Sequence, residues 1–179
     1  MEQKYIYSFS QIEDKVKALH ETNTEAAAAV ALSWLGLSRD ELKTLRVSDY
    51  NSTMRMLHSA GRVVYVREDL IADMLKAICE KAPEYSMGFF ITDVNSAYEA
   101  AEKQELSPIS VLKMRYFYEK HSAKLSGEPE DRVFLKEILR SVGESEADME
   151  KQFAEYEKDA PEKISVSYTH LRAHETLRH

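Results

Sequence analysis

The sequence predicts a mostly α fold (class α+β) built around one small antiparallel β-hairpin near residues 53–66. Three observations lead there. Apolar residues recur at helical spacing along most of the chain, helix-capping residues stand ahead of those runs, and one stretch alternates in the manner of strands. Gly and Pro are scarce, 5 and 4 among 179 residues, which excludes collagen-like, low-complexity and loop-dominated architectures.

The elements follow in order. Ser10-Gln11-Ile12-Glu13 has the form of a capping box, and Ile12, Val16 and Leu19 then mark an amphipathic helix to about Thr22. Asn23 and Thr24 offer a second cap for TEAAAAVALSWLG, which is apolar nearly all round and so predicts a central, buried helix ended by Gly36. Ser38-Arg39-Asp40-Glu41 is another capping box, opening a short helix with Leu42 and Leu45. Met54–His58 and Arg62–Val66 flank Ser59-Ala60-Gly61 as a hairpin, and Met87–Ile91 offers a short third strand. Between them, Leu70, Ile71, Met74, Leu75 and Ile78 form one helical stripe closed by Pro83. Further helices are expected over about 95–105, from Ser107-Pro108 to about Leu125, over 131–142 before Gly143, and after Ser145 with Met149, Phe153 and Tyr156 on one face.

Composition narrows the class of function. The formal net charge is −7, from 24 Lys+Arg against 31 Asp+Glu, which opposes broad nucleic-acid coating. No apolar run approaches the roughly 20 residues of a membrane span, and the start MEQKYIYSFSQIED lacks the apolar core of a secretory signal. A lone Cys79 excludes an internal disulfide and a cysteine metal cage, so a reducing cytoplasm is the expected compartment. No metal or cofactor site is expected.

The last residues change character. VSYTHLRAHETLRH, residues 166–179, holds three of the six histidines, and its VSYTHLRAHET run resembles a translated sequencing-library adapter. The expectation is one domain over 1–164, its native C-terminus missing, and a non-native tail over 165–179. His170 and His174 at i, i+4 would suit a metal only if that tail were native.

The run from Ala26 to Tyr50, AAAAVALSWLGLSRDELKTLRVSDY, resembles the opening of the catalytic domain of the tyrosine recombinases, the phage integrase family. In that family an apolar helix ends in a Leu-Gly-Leu-Arg turn, followed by Glu-Leu, a later Leu and an Asp. Leu35-Gly36-Leu37, Glu41-Leu42, Leu45 and Asp49 match that spacing, and element order extends the resemblance over about 10–159. The resemblance implies DNA binding and strand exchange through a 3′-phosphotyrosyl bond. Two bidentate arginines, a hairpin lysine and further donors would stabilise the transition state.

The chain departs from that set. Ser38 stands where the family has its first arginine, and Arg39 lies one residue later, about 100° away around a helix. Leu112-Lys113-Met114-Arg115 overlays the family's His-x-x-Arg, keeping Arg115 and losing the His. Glu144 replaces a histidine, where it would repel phosphate. The nucleophile position falls on Phe153, with Tyr156 one turn later, and the hairpin has Arg62 in place of lysine.

The resemblance therefore assigns Arg115, Tyr156 and Arg39 as candidate catalytic residues, and Lys43, Arg55, Arg62 and Arg67 as candidate DNA-binding residues. Each also has a plain structural reading. Tyr156 suits a half-buried packing position, Arg115 a helical pair with Glu119, Trp34 and Cys79 the core, and His121 the surface. Two functions stay open. One is a recombinase-like domain of degenerate active site, partnered by duplex DNA or a recombinase. The other is a helical protein-interaction module with no nucleic-acid role.

Overall fold

The computed structural model of the chain describes residues 9–81 and 88–159. Pro83, Met87, the 164/165 boundary and the adapter-like tail lie outside the described residues. The described part is mostly helical with a three-stranded antiparallel sheet.

Helix α1 (Phe9–Thr22) buries Phe9, Ile12, Val16 and Leu19 along one stripe. Ser10 lies within this helix and is not the cap expected from sequence. Phe9 lies on the same stripe as Ile12 and Val16, its ring 5.2 Å from that of Trp34. Helix α2 (Thr24–Trp34) is capped by Asn23, whose side chain accepts the Ala26 N–H, and every residue from Ala26 to Trp34 is buried. Its alanines let α1, α4, α5 and α6 pack directly around it. The C-terminus closes as the sequence predicts. Gly36 adopts φ +92°, its N–H donates to the Ser33 carbonyl, and the Leu37 N–H reaches back to Leu32.

Ser38 then caps α3 (Arg39–Thr44) in a complete box: its hydroxyl accepts the Glu41 N–H, and the Glu41 carboxylate accepts the Ser38 N–H. After one 3₁₀ turn, β1 (Tyr50–Asn51) pairs with β2 (Met56–Ser59), which pairs with β3 (Arg62–Tyr65). The hairpin turn is two residues rather than three. Ala60 and Gly61 both take positive φ, +49° and +76°, the conformation whose twist matches paired strands, and Ser59 pairs with Arg62.

The third strand comes from Tyr50–Asn51, not from the segment around Phe89. Among the described residues that segment makes an isolated bridge, Arg46 to Phe89, where the Val47 N–H bonds the Gly88 carbonyl and the Phe90 N–H bonds the Leu45 carbonyl after α3.

The rest is helical. α4 (Asp69–Lys81) buries Ile71, Ala72, Met74 and Leu75. α5 (Val94–Lys103) is capped by Asp93, and α6 (Pro108–Ser126) by Ser107 with Pro108 at its first position. α7 (Arg132–Val142) starts on Asp131 and ends at Gly143. α8 (Glu146–Asp159) lays Met149, Phe153 and Tyr156 against α6. No helix among the described residues is long and apolar enough to cross a membrane.

Candidate functional site

A cavity of about 900 Å³ opens between the hairpin, α6 and the start of α7. The hairpin supplies residues 53–55 and the continuous run Arg62 to Glu68. One face of α6 supplies Arg115, Tyr118, Glu119 and Ser122, at the i, i+3, i+4, i+7 spacing of a single stripe. Phe134 of α7 closes the inner end.

Arg115 is the centre of this site and only 8% exposed. Its guanidinium lies over the rings of Trp34 (5.1 Å) and Phe134 (5.2 Å), hydrogen-bonds Glu68 at 3.4 Å and pairs closely with Glu119. The Glu119 pair is the one expected from spacing, but it is built into the protein rather than lying on its surface. Burial opposes the charge, yet Glu119 and then Glu68 outweigh it and hold Arg115 protonated above its ordinary pKa. Glu68 is 4% exposed and also accepts the Trp34 indole N–H at 3.0 Å. One Glu68 oxygen, Oε2, and the Arg115 Nε are buried with no hydrogen-bond partner among the described residues.

Beside it lies a second node. Arg62 of β3 donates to the Gly36 carbonyl at 3.0 Å and to both Glu41 oxygens at 2.8 and 3.1 Å. Glu41 further accepts the Ser59 hydroxyl at 2.7 Å. Burial alone would raise the Glu41 carboxyl, but the bonds from Arg62, Ser59 and the Ser38 amide outweigh it and hold its pKa below the ordinary carboxylate range. The Gly36 turn closes the ring of contacts, since a Cβ on Gly36 would stand 2.8 Å from the Phe134 ring on which Arg115 lies.

The structure thus brings together Arg115, Arg62, Arg55 and Arg67 with the Gly36 turn. It does not bring Arg39 or Tyr156 there. Arg39 turns to α5, over the Tyr98 ring at 4.8 Å, and hydrogen-bonds Asn95. Tyr156 is 1% exposed, stacked 5.1 Å from Phe117 on the α8 side of α6. Phe153 shares that cluster.

Of the remaining cations, Arg55 pairs with Asp69 at 2.8 Å and Lys43 reaches Asp40 at 3.8 Å. Glu144 is held by Lys113 at 2.7 Å, the bond that lowers its pKa, and does not line the cavity. His121 is buried rather than exposed, its Nδ1 2.7 Å from Glu157.

Sequence reasoning missed Glu41 and Glu68 as the partners that fix this site. Glu41 was legible as the carboxylate of a capping box. Glu68, 47 residues from Arg115, reads locally as an acid at a helix start. Among the described residues no group of three His, Cys, Asp or Glu side chains is placed to hold a metal ion. Comparison with known proteins gave no match: no family model, curated protein or solved structure matches the chain.

Proposed function

We propose that the chain is a tyrosine recombinase-like domain that has lost strand cleavage and serves DNA recombination or integration as a DNA-associated, non-cleaving component. One observation carries this reading: the turn after α2, the hairpin arginine and the mid-α6 arginine meet around one cavity. Those are the segments the sequence resemblance makes responsible for gripping a phosphate. Loss of cleavage is supported by the same geometry. Arg115 is held by Glu68 and Glu119, Arg62 by Glu41, and the Tyr156 hydroxyl lies in an aromatic cluster outside the cavity.

Duplex contact in this reading falls to the outer cations, Lys43 and Arg67, with Arg55 beside them. A salt-titrated binding assay on duplex DNA tests it. Binding should be weak and fall steeply with salt, and Lys43→Ala or Arg67→Ala should each reduce the slope by about one. A nicked suicide duplex should trap no covalent adduct; an adduct abolished by Tyr156→Phe would overturn the loss of chemistry.

The second reading, a protein-interaction module, is favoured by the pairing of Arg55, Arg62 and Arg115 with carboxylates in a chain of net charge −7. Absence of duplex binding even at low salt would select it.

A further inference from the structure

One outer edge of the sheet, that of β3, lies in the cavity. Strand order is β1-β2-β3, so β3 has one unpaired side. In its register with β2, Ser59–Arg62 closes the hairpin, and the Val66 N–H bonds the Arg55 carbonyl. Antiparallel alternation then makes Leu57–Val64 the bonded pair between them. The N–H and C=O of Val63 and Tyr65 therefore point outward, and neither takes a partner among the described residues.

Among the described residues nothing pairs with this edge. Lys, Pro and bulges commonly blunt such strands, whereas here the outward side chains are Val63, 42% exposed, and Tyr65, 60% exposed. Met54 and Val133, also exposed, stand at the same cavity. Four of the six large apolar side chains that the described surface exposes thus gather at one groove. Across the groove runs the α6 stripe, parted from the edge by open space of about 900 Å³. Such a slot holds an added strand along the four residues of β3, roughly 13 Å.

We propose that this groove binds an extended basic peptide segment of a partner protein by adding it as a strand to β3. The groove's charge selects the sign. Arg55 and Arg62 are answered from outside it by Asp69 and Glu41, and Glu137 likewise by Arg140. The lining as a whole sets Glu68, Glu119, Glu128, Asp131 and Glu137 against Arg55, Arg62, Arg67 and Arg115, five carboxylates to four cations. The partner's main chain pairs with Val63 and Tyr65, its β-branched or aromatic residues cover them, and its Lys or Arg side chains meet the carboxylates of α6 and the loop before α7. This holds whether or not the domain is recombinase-like.

The test uses the full chain and a fluorescein-labelled octapeptide alternating Lys with Val and Thr, read by anisotropy. The basic peptide should bind. Its Glu-for-Lys counterpart should not, and N-methylation of alternate peptide amides should weaken binding about tenfold, since it deletes strand hydrogen bonds and leaves charge intact. Val63→Pro, which removes an outward amide, should do the same, and the N-methyl peptide gives the same information on unaltered protein.

Glu128→Lys separates this proposal from duplex binding, because it should weaken the peptide about fivefold and strengthen a duplex. Equal binding of acidic and basic peptides, indifference to N-methylation, or no binding would each overturn the proposal. So would a duplex that displaces the peptide and is weakened alike by Val63→Pro, since the groove would then be a nucleic-acid channel.

Discussion

Two arginine–glutamate pairs border the same cavity and are built in different ways. In the Glu41–Arg62 node both carboxylate oxygens are in use, by a guanidinium, a serine hydroxyl and a backbone amide, and the arginine also ties down the Gly36 carbonyl. In the Glu68–Arg115 node the charges are more deeply buried and the carboxylate is less completely bonded: Glu68 Oε2 has no hydrogen-bond partner among the described residues, while both Arg115 and Arg62 leave Nε over. The first is a joint, fastening hairpin to helix. The second is a buried charge held by two acids and two aromatic rings, whose cost the fold offsets through packing as much as through bonds.

That contrast makes ordered predictions. Arg115→Ala should be the most damaging change, on the order of 3–5 kcal/mol in chemical denaturation, because it leaves Glu68 buried without its cation. The double change Glu68→Gln with Arg115→Met should recover most of that loss; a double variant as unstable as the single would show that the pair is a net stabiliser and erase the distinction.

Gly36→Ala couples the nodes. It imposes a left-handed backbone on alanine and drives Cβ into Phe134, so a loss of roughly 2–3 kcal/mol is expected. A melting temperature equal to the parent's would mean the Phe134 ring moves freely and the nodes are not in contact.

Glu41→Gln should be milder, about 1–2 kcal/mol, since the amide keeps part of the bonding. Because the folded carboxyl titrates below its unfolded value, its contribution is complete above the ordinary carboxylate range and disappears as pH falls through the lower folded pKa. The parent should therefore lose more stability than Glu41→Gln on acidification; parallel pH profiles would show that the joint carries no charge-dependent energy. Arg55→Ala, breaking a half-exposed pair with Asp69, should change stability by under about 0.5 kcal/mol.

Local chemistry explains what could be read from residues alone. Ser38, Asn23, Asp93, Ser107 and Asp131 cap helices because each side chain meets an amide two or three residues on, a relation contained within a few letters. The glycines at 36, 127 and 143 stop helices for the same local reason. Contacts across the chain were not legible. Tyr50–Asn51 is too short to show alternation, and the partnership of Glu68 with Arg115 and Trp34 depends on how α2, α4 and α6 stack. Arg39 lay on the right helix, but one position of rotation carried it to Tyr98 on α5. Of the candidate site, the turn and the two arginines could be read in advance, while the carboxylates that hold them could not.

A helix enclosed on every side cannot finish folding before its enclosure exists. α2 is complete by Trp34, yet the segments that cover it include α5 and α6, which end at Lys103 and Ser126. During synthesis its alanine-rich surface therefore leaves the ribosome some 90 residues ahead of its last cover, at elongation speeds an interval of several seconds. Nascent-chain chaperones are expected to hold that stretch until α6 arrives, and chains shortened before α6 should aggregate rather than persist as smaller folded domains.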